Sequence, residues 1–131
     1  MRVFGISTCL LFITACALLP STPLPPISAY LGAEFILTPG QIATINDTNL
    51  KIILIGVPSD GRCPLDIECA ESGPVSVNIS IQSGSEAPQE VSFLTFTDND
   101  GSVAQMDFEG MTTSVAQNGY LVQIISITPF P

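Results

Sequence analysis

The pattern that most restricts this chain is an eight-residue alternation. Val75, Val77, Ile79 and Ile81 alternate with Ser76, Asn78, Ser80 and Gln82. Successive side chains of a strand point to opposite faces, so this spacing predicts a strand with one buried face and one wet face. Burying the four apolar side chains contributes about 6–12 kcal/mol gross, before chain entropy is set against it. Residues 50–57 are apolar on both faces apart from Lys51 and Gly56, which predicts a central strand covered on both sides. Residues 91–97 and 102–108 flank Asp98-Asn99-Asp100-Gly101, a hairpin signal. Asn118-Gly119 gives a second hairpin signal, just before residues 120–128. Shorter strand candidates cover 34–37, 41–45 and 113–117. No stretch carries sustained helical periodicity with caps. The expectation is therefore an all-β chain whose residues 31–131 form a single immunoglobulin-like two-sheet sandwich of seven or eight strands. A small closed barrel is the runner-up.

Residues 1–30 follow other rules. Met1-Arg2 sets a cationic end before an apolar run over 3–15. A spanning helix needs about 20 residues, so the run fits the core of an export signal instead. It ends Ile13-Thr14-Ala15-Cys16, which resembles the bacterial lipobox of an aliphatic residue, two small residues and Cys. That resemblance implies a lipoprotein signal peptide over 1–15, with Ala15 its last residue and Cys16 the lipidated one. The alternative is a soluble secreted protein cut at a small-residue site, for example after Ala17. Lipidation would be decisive for location, because each buried methylene contributes about 0.8 kcal/mol and two or three chains anchor stably. The expected location is the cell envelope, at the outer membrane or the extracytoplasmic face of the cytoplasmic membrane. Residues 16–30 carry Pro20, Pro23, Pro25 and Pro26, which favour extended polyproline geometry. At about 3.1 Å per residue, a linker of fourteen residues would reach roughly 40 Å.

The distinctive segment runs from Pro58 to Gly73 and holds Cys63 and Cys69. An exported chain meets an oxidising compartment, so these two cysteines are expected to pair. Closing so short a loop contributes about 2–2.5 kcal/mol in the chain-entropy picture. The alternative is a thiol or metal site, although two cysteines without histidine make a poor zinc site. Asp60, Arg62, Cys63, Pro64, Cys69 and Gly73 resemble the Asp-Ser-Arg-Cys-Pro…Cys loop of small bacterial exported lipoproteins. Phe35, Leu37, Gly40 and Gln41 and the ending Pro129-Phe130-Pro131 extend the similarity more loosely over residues 33–131. Those relatives imply a single β-sandwich and no particular activity. Gly61 stands where they have Ser, and Glu71-Ser72 where they have Trp-Ala, which puts a Trp-based binding surface in doubt. Arg62 is the only Arg after Arg2 and has Asp60, Asp66, Glu68 and Glu71 for sequence neighbours. Its guanidinium can bridge carboxylates and carbonyls to lock the loop, or recognise an anion or a partner carboxylate.

Composition narrows the function. Twelve acids against three bases give a net charge of −9, which leaves no basic patch for nucleic acid. Histidine and tryptophan are both absent, so Ser-His-Asp and Cys-His nucleophiles are excluded, as are His-containing metal sites. Paired carboxylates could serve glycoside hydrolysis, but so small a domain with few aromatic platforms suits it poorly. No enzyme activity and no cofactor are expected. The leading expectation is a membrane-anchored binding or structural module of the cell envelope. It would hold the bilayer through Cys16 and an unidentified envelope protein or ligand through Asp60, Arg62, Pro64, Asp66 and Glu68. One alternative is a weak calcium-binding lipoprotein using Asp98 and Asp100, whose turn resembles the start of a calcium loop but lacks flanking helices. Another is a secreted-protease inhibitor, although the Asn-Pro-Thr-Thr-Gly and Arg-Pro-Trp/Phe loops of chagasin-like inhibitors are missing.

Overall fold

A computed structural model describes residues 22–104 and 109–131. The signal segment, Cys16 and the linker through residue 21 lie outside the described residues, as does the 105–108 part of the expected strand 102–108. Among the described residues the chain is all-β, with two open sheets. The first contains β1 (Ile27–Ala29), β2 (Ile42–Ile45), β3 (Leu50–Asp60), β4 (Val75–Ser83) and β5 (Gln89–Thr95), in that spatial order. The second is a hairpin of β6 (Ser114–Gln117) and β7 (Tyr120–Gln123).

β4 is the strand announced by the alternation. Val75, Val77, Ile79 and Ile81 are all buried, and Ser76, Asn78 and Gln82 on the other face are half-buried. It lies between β3 and β5, antiparallel to both, with Ile52 opposite Ile81 and Val77 opposite Phe93. Cross-strand apolar pairs of this kind fix the register, because a one-residue slip would turn every core side chain outward. The core is completed by Ala29, Ile45, Leu50, Ile52, Phe93, Val103 and Ile127. Val115, Tyr120, Val122 and Ile124 pack against it from the hairpin and the residue after it. Asn118 and Gly119 both adopt positive φ at the tip of that hairpin, as the Asn-Gly signal predicts.

Three sequence expectations differ from the structure. β3 occupies the middle of the sheet, but it is covered on one face only: Leu50 and Ile52 are buried, while Lys51, Ile55 and Val57 are exposed. The hairpin supplies apolar cover to one side, and continuous apolarity in sequence does not reveal that the second side lacks it. Residues 34–37 form no strand. Ile27–Ala29, inside the presumed linker, is instead a strand that pairs in parallel with β2. Pro25, just before it, is also tied to the sheet, because Gln41 Nε2 donates to Pro25 O at 3.0 Å.

Beyond β5, isolated bridges add to the β6–β7 hairpin. Leu94 pairs with Thr112, Thr97 with Val103 and Ser102 with Ser126. Ile127 N donates to Gly101 O at 2.8 Å, which brings the chain after β7 against the Asp98–Gly101 turn. That approach requires glycine: Gly101 has φ +89°, and a Cβ there would lie 2.7 Å from Ile127 O.

Phe93 is fully buried at the centre of the core, and Leu121 is largely exposed. Phe93→Ala is therefore expected to cost about 3–5 kcal/mol of unfolding free energy, and Leu121→Ala less than about 0.5 kcal/mol. Urea midpoints of the two variants check this, and equal losses would contradict the placement of the core.

Candidate functional site: a stapled loop locked by Arg62

β3 and β4 end together, with Asp60 opposite Val75, and the chain between them forms the cysteine loop. Two backbone hydrogen bonds close its neck: Gly61 N donates to Pro74 O at 3.0 Å and Gly73 N to Gly61 O at 2.7 Å. The approach is too close for side chains, since a Cβ on Gly73 would meet Gly61 O at 2.8 Å. This accounts for glycine at 73. Above the neck, Cys63 and Cys69 are joined by a disulfide with Cα atoms 5.9 Å apart. Cys63 N donates to Ser72 Oγ at 3.2 Å, and Ile67 N turns back to Pro64 O at 3.2 Å.

Arg62 sits inside the neck, its side chain only 2% exposed. Its Nε donates to Asp60 Oδ1 at 2.8 Å and its Nη2 to Asp60 Oδ2 at 2.6 Å, a two-pronged grip on one carboxylate. Nη1 donates to Ile127 O at 2.6 Å, and Nη2 also donates to Pro129 O at 2.9 Å. The Phe130 ring covers the guanidinium, with its centroid 4.5 Å from Cζ. A buried cation is tolerated when its charge is paired and its donors find acceptors; here Asp60 answers the charge and four N–H groups find oxygens among the described residues. The hydrogen bond from Arg62 is also the main reason the Asp60 carboxyl is held below its ordinary pKa, against the opposing effect of burial.

Of the five loop residues singled out in the sequence, Asp60 and Arg62 thus meet each other, and Arg62 alone reaches inward to the segment 127–130 while Asp60 stays partly exposed. Pro64 is half-buried, while Asp66 and Glu68 are exposed at the tip. Sequence reasoning missed the two residues beside them, Leu65 and Ile67, which are 72% and 59% exposed. Their signal was available: apolar side chains interleaved with acids inside a disulfide-closed loop too short to bury them. Leu65, Ile67, Cys63 and Pro64 line a shallow cavity of about 240 Å³ together with Asn99 from the Asp98–Gly101 turn.

That turn is an ordinary tight hairpin connection. Gly101 N donates to Asp98 O at 3.1 Å, Asp98 N to Ser102 O at 3.0 Å, and Ser102 N to Asp100 Oδ1 at 2.8 Å. Asp98 and Asp100 face each other. Their shared side-chain hydrogen bond raises the Asp98 pKa and, with those from Ser102, lowers that of Asp100 to about 2. Among the described residues, no three Asp, Glu, Cys or His side chains cluster as they would around a metal ion. Comparison of the chain with protein families, curated proteins and solved structures finds no match in any of the three.

Asp60 carries a pH signature. Its folded pKa lies below its unfolded value, so the stability it contributes is present above the unfolded value of about 4. That contribution is lost as pH falls through the lower folded value. Asp60→Asn removes the charge while keeping the shape, leaving a buried guanidinium uncompensated, and is expected to cost about 2–4 kcal/mol at neutral pH. The gap between wild type and Asp60→Asn should narrow in acid denaturation series from about pH 4 downward. Stability curves that stay parallel across that range would contradict the pairing.

Proposed function

We propose that the protein is an exported, membrane-anchored binding or structural module of a bacterial cell envelope, with the disulfide-stapled loop as its working surface. The observation that carries this reading is the contrast within the loop. Its neck is fixed by the disulfide, two backbone bonds and the Arg62 grip, while Leu65 and Ile67 at its tip stay out of the core. A loop held this firmly binds without a large ordering cost, which is the usual benefit of a preorganised surface. Arg62 serves as the internal lock, and contact with a partner falls to the tip. We assign no catalytic step.

The fold proposed for this role is an immunoglobulin-like sandwich in which the β6–β7 hairpin is the smaller sheet. Packing of Val115, Tyr120 and Val122 on the core of the larger sheet supports it. The anchor is Cys16, supported by Ile13-Thr14-Ala15-Cys16 at the end of the apolar run. Because Pro25 is tied to Gln41 and β1 begins at Ile27, the proposed tether ends before Pro25 instead of at residue 30.

The anchor is tested by expressing the full chain in a bacterial host fed radiolabelled palmitate. Wild type should take up label and sediment with membranes, while Cys16→Ala should do neither. An unlabelled, soluble wild type would overturn the lipoprotein reading.

A further inference from the structure

The end of the molecule that carries the stapled loop has an unusual charge balance. Asp66, Glu68 and Glu71 lie on the loop, and Asp98 and Asp100 flank Asn99 on the adjoining turn; all five are exposed. Asp60 is paired with Arg62, and that guanidinium is itself buried. The remaining base among the described residues, Lys51, stands at the start of β3, at the opposite end of the strand that delivers Asp60 to the loop. The shallow cavity is lined by Cys63, Pro64, Leu65, Ile67 and Asn99. The exposed Asp66, Glu68, Asp98 and Asp100 are the chain neighbours of that lining, with no exposed Lys or Arg beside them in sequence.

The geometry points to a polypeptide partner of complementary chemistry: a basic, amphipathic segment that seats an apolar side chain against Leu65 and Ile67 while its lysines or arginines face Asp66, Glu68, Asp98 and Asp100. This deepens the proposed function and rests on the loop being the binding face. Apolar contact supplies the anchor, and the ring of acids supplies orientation and a faster encounter. An anionic bilayer or an acidic partner would be repelled by the same ring. A cavity this shallow suits one or two side chains of a peptide better than an enclosed small molecule.

The test is a titration of the full chain with the peptide Lys-Lys-Leu-Leu-Lys-Lys, followed by NMR or fluorescence anisotropy. Three comparison peptides replace Leu by Ala, replace Lys by Glu, or replace Lys by Ser. The Lys-Leu peptide should bind best, more weakly as salt rises, and should perturb signals of Leu65, Ile67 and Asn99. Leu65→Ser/Ile67→Ser should weaken it about tenfold, as loss of a central apolar anchor does. Asp66→Asn/Glu68→Gln should weaken it about fivefold and flatten the salt dependence. Both pairs are surface substitutions, and unchanged melting temperatures confirm that folding is intact.

Equal binding of the Ala peptide, or of the Lys-Leu peptide to Leu65→Ser/Ile67→Ser, would overturn the proposal by reducing the contact to charge alone. Preference for the Ser or Glu peptide, still dependent on Leu65 and Ile67, would keep the loop as the binding face and overturn only the basic partner. Binding that perturbs residues away from the loop, or no binding by any peptide or vesicle, would overturn both. Leu65- and Ile67-dependent sedimentation with zwitterionic lipid vesicles, without peptide binding, would replace the peptide by a membrane surface.

Discussion

A guanidinium that is 2% exposed must have its charge and its donors answered inside the protein, and this structure is arranged around that demand. Arg62 draws its carboxylate from Asp60 two residues back, at the end of β3, and its carbonyls from Ile127 and Pro129, more than sixty positions further on. One side chain therefore ties the root of the stapled loop to the segment after β7. Lysine could supply the charge, but it lacks the planar fork that satisfies one carboxylate and two carbonyls at once. The lock also draws in Gly101, since the carbonyl of Ile127 that receives Nη1 belongs to the residue whose N–H bonds Gly101. Loop, turn and final segment form one end of the molecule through these contacts.

The consequence is a division of labour along the loop. Charge near the base is internal and cancelled, whereas charge near the tip is external and unbalanced. Apolar residues divide likewise: Ile127 joins the core, and Leu65 and Ile67 face solvent. The disulfide restrains the tip from opening, and the neck bonds restrain it from tilting. A short chain with little room for a core thus holds one surface loop in a defined shape, through local constraint instead of bulk.

Much of the fold was legible in the sequence because strand signals are local. The alternation at 75–82 located β4 and its buried face, and the two turn signals at Asp98–Gly101 and Asn118-Gly119 located real turns. What escaped depends on partners far away in the chain. Ile27–Ala29 is too short to carry a pattern, and its pairing with β2 is parallel, which no hairpin signal announces. The open second face of β3 depends on where the small hairpin settles. At the site, the Cys63–Cys69 bond was expected from residue type, and Arg62 as a lock was one of two readings open. Its carbonyl partners at 127 and 129 were invisible, since any residue offers a carbonyl. Leu65 and Ile67 were legible too, as apolar residues in a disulfide-closed loop too short to bury them, but the charged residues beside them drew the reading.

The central claim is that Arg62 is immobilised between Asp60 and the 127–130 segment. The most direct measurement is nitrogen-15 NMR of the arginine side chain in the folded chain. The account predicts a slowly exchanging Nε–H, separate signals for the Nη protons because rotation is blocked, and a close contact from them to the Phe130 ring. A single averaged guanidinium signal exchanging rapidly with water would contradict it. In that case the loop would be held by the disulfide and neck bonds alone.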